Sequence, residues 1–130
     1  MATNRRDVPL AIPADKAWTA LRDFGQVHTK VAPGFLTALK MDQGDRIVTF
    51  FNGLAARERL ITLDDAGMRL VYTIVEGGAS HYNAAVQVVA EDAGHCRVVW
   101  TIDLLPDELA PAIAGMMDHA TGFMKKTLEA

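Results

Sequence analysis

Hydrophobic and polar residues alternate in six short stretches in the middle of the chain. The stretches are rich in β-branched and aromatic residues, and turn-forming residues separate them. They cover residues 35–41, 46–51, 56–63, 68–75, 81–90 and 96–105. Because no segment of helical length lies between them, the pattern predicts an antiparallel meander. Asn52-Gly53 between the second and third stretches predicts a tight hairpin turn.

The remaining elements lie on either side of this meander. Residues 6–12 predict a first strand, and Pro13 begins an amphipathic helix that extends to about Asp23. A second short helix is predicted within residues 26–34, where Pro33-Gly34 stops it. After Pro106, helical spacing predicts one long helix over residues 106–128. Its inward stripe is Leu109, Ile113, Met116, Ala120 and Phe123, widened by Met117, Met124 and Leu128. The order favours an α+β fold in which a curved seven-stranded antiparallel sheet wraps around the long helix, with two short helices after strand 1.

Strand alternation assigns one apolar-aromatic face and one more polar face to the predicted sheet. The stretch 56–63 divides less cleanly than the others. One set is Ala56, Glu58, Leu60 and Thr62, and the opposite set contains Arg57 and Arg59. Two arginines are easier to leave in water than to bury, so the first set is predicted to face inward and to bring Glu58 with it.

An inward carboxylate such as Glu58 is costly unless it is paired, hydrated or protonated. In one interpretation, Glu58 reaches water at the mouth of the sheet or pairs with a nearby lysine. In the other, Glu58 is the polar group of a wet or ligand-filled cavity. Small inward residues would leave volume there, while tyrosines and a tryptophan would add polar contacts, a mixture typical of ligand pockets.

Composition narrows the class of protein. The chain has 130 residues, of which 50% are hydrophobic and 22% charged, as expected of a single globular domain over residues 1–130. A net charge of −3 with scattered basic residues argues against nucleic-acid binding. Cys96 is the only cysteine, which fits a reducing compartment. We expect no signal peptide and no membrane span, and therefore a cytoplasmic protein.

The sequence carries no recognisable motif for metal, cofactor or nucleophilic chemistry. Its four histidines, at positions 28, 81, 95 and 119, lie outside any metal-ligand spacing. We therefore predict no metal and no cofactor. His81 begins a predicted strand beside a Gly-Gly turn, which places it at the mouth of the predicted cavity.

Four segments together resemble the START-like (SRPBCC) superfamily. They are "IPADKAW" before a helix, "ERLITLDD", "YTIVEGG" and "VVWTIDLLP" before the long helix. Members include polyketide cyclases and dehydratases, birch-pollen-type allergens and plant abscisic-acid receptors. The resemblance covers about residues 8–128. It implies the helix-grip fold, with a hydrophobic cavity between the sheet and the C-terminal helix.

The abscisic-acid receptors provide the most detailed local match. Their gate loop precedes Glu-Arg-Leu, as residues 52–56 here precede Glu58-Arg59-Leu60. In those receptors the glutamate contacts ligand, commonly through water, and the resemblance implies this role for Glu58. The receptors' gate proline, His-Arg-Leu latch and cavity lysine have no counterpart here, so the resemblance implies the fold and the cavity but not the hormone.

Three functions remain open from the sequence. The leading one is binding of a small hydrophobic or amphipathic molecule, by a monomer or a homodimer. Its predicted ligand-binding residues are Glu58, Leu60, Tyr72, Ile74, His81, Tyr82, Trp100, Met116, Met117, Ala120 and Phe123. The second is a polyketide cyclase or dehydratase activity, with Glu58 as general base or acid and Tyr72 stabilising an enolate. The third is an interaction module with a collapsed cavity.

Overall fold

A computed structural model describes all residues, 1–130. Seven strands and three helices follow the predicted order. The strands are β1 (Ala2–Leu10), β2 (Leu36–Asp42), β3 (Asp45–Phe50), β4 (Ala55–Asp64), β5 (Arg69–Glu76), β6 (His81–Asp92) and β7 (His95–Leu105). The helices are α1 (Ala14–Leu21), α2 (Val27–Lys30) and α3 (Ala110–Leu128).

All seven strands form one antiparallel sheet in the order β1-β7-β6-β5-β4-β3-β2. The meander from β2 to β7 is therefore confirmed, and β1 closes the sheet beside β7. β1 begins at Ala2, four residues before the predicted start. Its first half lies at the edge of the sheet, and polar residues such as Asn4 and Arg5 occupy both of its faces, so hydrophobicity alone did not reveal it.

The two short helices after β1 are also present. α1 buries Ala14, Ala17, Trp18 and Leu21, the residues at helical spacing. The second predicted helix is shorter than expected and is preceded by a 3-10 turn, Phe24–Gln26. The chain then turns at Gly34, whose φ of +97° suits glycine and would strain other residues.

The long C-terminal helix differs from its prediction at its start and in its most buried face. Residues Asp107–Leu109 form a 3-10 turn, and the α-helix begins at Ala110. Its buried residues are Met117, Ala120, Met124 and Leu128. The other predicted inward residues, Leu109, Ile113, Met116 and Phe123, are only partly buried. No helix in the structure is both long and apolar enough to cross a membrane.

The concave face of the sheet and the helices enclose the hydrophobic core. β6 and β7 alternate buried and partly exposed residues along most of their length, as the period-2 pattern predicts. β4 departs from strict alternation because its register with β5 shifts between Leu60 and Thr62. Thr62 consequently pairs with Val71 of the outward set, so its predicted inward position is wrong.

Candidate functional site

A cavity of about 430 Å³ lies between the concave face of the sheet, α3 and the loops beside them. Of its 29 lining residues, 24 are hydrophobic. The sheet contributes residues from β2 to β7, and α3 contributes Ala112, Ile113, Met116, Met117, Ala120 and Met124. The space predicted from small inward residues is therefore present in the fold.

Exposed lining residues mark the mouth of this cavity. They are Asn52 and Leu54 of the β3–β4 connection, Ala55 at the start of β4, Gly77 and Gly78 after β5, and Ala112 on α3. Leu54 is 65% exposed although it is apolar. The entrance is thus bordered by two loops and the first half of the closing helix.

The polar end of the cavity is an ion pair between Arg46 and Glu58. Arg46 Nε donates to Glu58 Oε1 at 2.7 Å, and both side chains are at most 7% exposed. Arg46 Nη1 also donates to the carbonyl of Phe24 at 3.1 Å. The guanidinium lies 3.9 Å from the ring centroid of Phe24 and 4.7 Å from that of Tyr72. Glu58 faces the interior, and its partner is an arginine rather than a lysine or bulk water.

The register of the β3–β4 hairpin produces this pair. A two-residue Asn52-Gly53 turn would place Arg46 opposite Arg59, whereas the observed longer connection places it opposite Glu58. Phe50 N–H donates to the Leu54 carbonyl, and Gly53 adopts a φ of +85°. The predicted hairpin turn at Asn52-Gly53 is therefore present, but its loop is one residue longer than a two-residue turn. Arg46 was missed because it follows a turn and reads as a solvent-facing residue.

Arg57 and Arg59 lie on the opposite face of the sheet, where Asp45 binds both. Arg57 Nε donates to Asp45 Oδ2 at 2.7 Å, and Arg59 Nε donates to Oδ1 at 2.9 Å. Hydrogen bonds from Arg59 and then Arg57 lower the pKa of Asp45 to about 2. Arg57 also binds Asp42 at 2.8 Å. The two faces of β4 thus keep separate, internally compensated charges.

Tyr72, Tyr82 and Trp100 supply uncharged polar groups to the cavity. The two tyrosine rings lie 6.4 Å apart. Burial raises the pKa of both tyrosines, and the charge of Glu58 raises the pKa of Tyr72 further, so both hydroxyls remain protonated at neutral pH. The indole Nε1 of Trp100 is buried without a hydrogen-bond partner of good geometry.

Eight of the eleven predicted ligand-binding residues line the cavity. They are Glu58, Tyr72, Ile74, Tyr82, Trp100, Met116, Met117 and Ala120. The structure brings Glu58 and Tyr72, the two predicted catalytic residues, to the same end of this space, where Arg46 contacts both.

The other three predicted residues lie outside the cavity lining. Leu60 is partly buried against the core, one pleat beyond Glu58. His81 is exposed because the following residue, Tyr82, takes the inward position on β6. Phe123 packs towards Gly34 and His119 instead, with its ring 5.3 Å from that of His119.

Residues from the segment between α1 and β2 complete the wall and were not predicted. They are Val27, Val31, Ala32, Phe35 and, at the start of β2, Leu36. The helical turns in this segment are short and the residues around them are irregular, so no periodicity indicated which side chains face inward. The structure contains no group of three or more His, Cys, Asp or Glu residues placed to hold a metal ion.

Comparison with known proteins adds a family and several structures. A family model described as "Polyketide cyclase / dehydrase and lipid transport" matches residues 1–130. No match was found among curated proteins.

Three solved structures illustrate the likeness of fold. An uncharacterized protein from Bacillus thuringiensis has a TM-score of 0.87 at 15% identity, with 98% of each chain covered. A protein from Thermobifida fusca has a TM-score of 0.78 at 29% identity, covering 99% of this chain and 91% of that one. A norcoclaurine synthase point mutant from Thalictrum flavum, in complex with a transition-state analogue, has a TM-score of 0.72 at 18% identity, covering 98% and 93%.

Proposed function

Because the chain belongs to the polyketide cyclase / dehydrase and lipid transport family, we propose that its cavity binds a small hydrophobic or amphipathic molecule. The START-like resemblance and the helix-grip fold predicted from the sequence are confirmed. The observation that carries the proposal is the cavity itself, about 430 Å³ in volume and lined mainly by apolar side chains. A large apolar pocket with a few convergent polar groups is typical of small-molecule sites.

The lining suggests how affinity and orientation divide between residues. Apolar walls favour a hydrophobic guest by about 25 cal/mol per Å² of apolar surface removed from water. Met116 and Met117 add flexible, polarizable side chains that adapt to irregular shapes. Arg46, Glu58, Tyr72 and Trp100 then orient the polar end of the guest.

Native mass spectrometry of the purified protein tests the proposal directly, since a retained guest adds its own mass. A second measurement is titration with N-phenyl-1-naphthylamine, an uncharged fluorophore that brightens in apolar sites. We expect saturable binding that Ala112→Trp weakens, because Ala112 lies at the mouth. Lys126→Trp is the matched control, since Lys126 is exposed on α3 away from the lining. No retained mass and no saturable fluorescence would contradict the proposal.

A second candidate is a cyclase- or dehydratase-type enzyme. The observation that favours it is the presence of a carboxylate, Glu58, and a neutral phenol, Tyr72, in the same apolar cavity. Arg46 occupies Glu58 Oε1 and leaves Oε2 to take a proton α to a carbonyl, while the Tyr72 hydroxyl donates to the enolate oxygen.

Deuterium exchange tests this second candidate without knowledge of the natural substrate. α-Tetralone in D₂O would report proton removal next to its carbonyl. If the protein is such an enzyme, we expect exchange faster than in buffer, and we expect Glu58→Gln to abolish this acceleration. Arg5→Gln should keep it, because the Arg5 side chain is 58% exposed. Exchange at the buffer rate, with α-tetralone shown to bind, would exclude this enzymatic role for Glu58.

A further inference from the structure

We propose that the cavity selects an uncharged ligand that carries an oxygen acceptor, and that the indole N–H of Trp100 binds this acceptor. The inference rests on the proposed binding function and specifies its ligand class. Two independent features carry it: the unpartnered buried donor of Trp100 and the exact charge compensation of the lining.

Trp100 is the clearest sign of a missing partner. It lines the cavity and is 9% exposed, and its Nε1 is buried without a hydrogen-bond partner of good geometry. A buried donor left unpaired is costly, so native proteins normally satisfy such groups. A guest oxygen in the cavity would provide the acceptor.

The hydroxyls of Tyr72 and Tyr82 are two further neutral donors in the same region. The Tyr72 hydroxyl lies close enough to the Trp100 indole and the Tyr82 hydroxyl for both to influence its pKa, but it does not form a hydrogen bond of good geometry with Trp100 Nε1. Because burial keeps both tyrosines protonated, this end of the cavity offers O–H and N–H groups without a net charge. Such a set suits a carbonyl, hydroxyl or ether oxygen.

The charges of the lining disfavour an ionised guest. Arg46 and Glu58 are the only charged lining residues, and they neutralise each other. A guest carboxylate near Arg46 would also lie near the Glu58 carboxylate, and a guest ammonium near Glu58 would lie near Arg46. Either ion would be desolvated in an apolar cavity without a free counter-charge, which is strongly unfavourable.

Three naphthalene probes of similar shape test the inference on the native protein. 2-Acetylnaphthalene carries a neutral acceptor, 2-ethylnaphthalene lacks the acceptor, and 2-naphthoate is ionised at pH 7. We expect 2-acetylnaphthalene to bind roughly tenfold more tightly than 2-ethylnaphthalene. We expect 2-naphthoate to bind at least about tenfold more weakly than 2-acetylnaphthalene at pH 7.

Trp100→Phe then removes the donor while leaving an aromatic ring. It should abolish the preference for 2-acetylnaphthalene over 2-ethylnaphthalene, because any loss of packing affects both probes alike. Trp18→Phe is the control, since Trp18 Nε1 already donates to Asp65 Oδ1 at 2.9 Å outside the cavity. Circular dichroism of both variants checks that the fold is retained.

Each outcome has a distinct meaning. Equal binding of all three probes overturns the selectivity while the binding function stands. Tightest binding of 2-naphthoate overturns it too and makes Arg46 an anion site. A preference that survives Trp100→Phe overturns the role of Trp100. Binding of none of the probes overturns the proposed function and this inference with it.

Discussion

The buried Arg46–Glu58 pair makes each partner dependent on the other. Glu58→Gln leaves the guanidinium of Arg46 buried without a counter-charge, so we expect the free energy of unfolding to fall by about 3–5 kcal/mol at pH 7. Arg46→Met should cost a similar amount. The double variant Arg46→Met/Glu58→Gln should recover much of the loss, because it removes the unpaired charge. Urea denaturation of the four proteins measures these differences.

Arg5→Gln is the matched control for this prediction. Arg5 binds Asp7 at 2.8 Å but is 58% exposed, so its loss should change stability by less than about 1 kcal/mol. If Glu58→Gln were as stable as the native protein, the pair would contribute nothing to the fold. Glu58 would then be held inside for binding alone.

Gly34 combines an unusual backbone angle with a crowded site. Its φ is +97°, and a Cβ there would lie 2.8 Å from Cε1 of Phe123. Gly34→Ala should therefore lower the free energy of unfolding by about 1–3 kcal/mol. Gly122→Ala on α3 meets open space and should raise stability by about 0.5–1 kcal/mol. Thermal melts compare the two variants, and equal melting temperatures would contradict the proposed strain.

Individual side chains also show what the sequence could and could not specify at the site. Alternation along β4 placed Glu58 inside correctly, because burying Arg57 and Arg59 was the worse alternative. Arg46 could not be found in the same way. The partner of Arg46 depends on the length of the β3–β4 connection. A shift of one residue in register would place Arg46 opposite Arg59 instead of Glu58.

Among the elements, the sequence located strands better than irregular segments. The observed ends of β2 to β7 lie within one or two residues of the predicted ends, because glycine and paired polar residues in the turns interrupt each strand. The bulge in β4 and the wall between α1 and β2 have no such signal. The most buried face of α3 differs from the predicted inward stripe because Ile113 and Met116 border the cavity and are only partly buried.

The β3–β4 connection is predicted to act as a mobile gate at the mouth. Residues 52–56 include the exposed Leu54, while the preceding Phe51 ring packs 4.5 Å from that of His119 on α3. Phe51→Ala removes this contact and should speed both amide exchange in residues 52–56 and entry of N-phenyl-1-naphthylamine. Hydrogen-exchange mass spectrometry and stopped-flow fluorescence measure the two effects.

Ile61→Ala provides the control for the gate. Ile61 is 55% exposed at the β4 bulge and does not line the cavity. Its substitution should leave probe entry unchanged. Exchange in residues 52–56 as slow as in the centre of β7 would show a fixed connection rather than a gate.

Across the whole molecule, hydrogen-bonded carboxylates tie the sheet, α1 and α3 together. Six of them have a lowered pKa: Asp7, Asp45, Asp65, Asp92, Asp118 and Glu129. Most of these groups are exposed, and salt should screen their interactions. Asp45 differs because it is 3% exposed and receives hydrogen bonds from two arginines.

The lowered pKa values of these carboxylates predict that the fold loses stability in acid. A carboxylate whose folded pKa lies below its unfolded value stabilises the fold above the unfolded pKa, and this contribution disappears as pH falls through the folded pKa. For Asp45 the window extends from about pH 4 down to about pH 2. We expect the free energy of unfolding to be nearly constant above about pH 5 and to fall steeply below pH 4.

Asp45→Asn separates the buried network from the exposed pairs. It should lower stability at pH 7 and flatten the fall below pH 4, and both effects should persist in about 1 M NaCl because salt screens buried pairs poorly. Asp118→Asn removes an exposed partner of Arg6, so its smaller effect should vanish at that salt concentration. Urea denaturation from pH 2 to pH 7 at low and high salt distinguishes them. If Asp45→Asn left the loss of stability below pH 4 unchanged, the ion pairs of Asp45 with Arg57 and Arg59 would not be its source. The loss would then come from the exposed pairs.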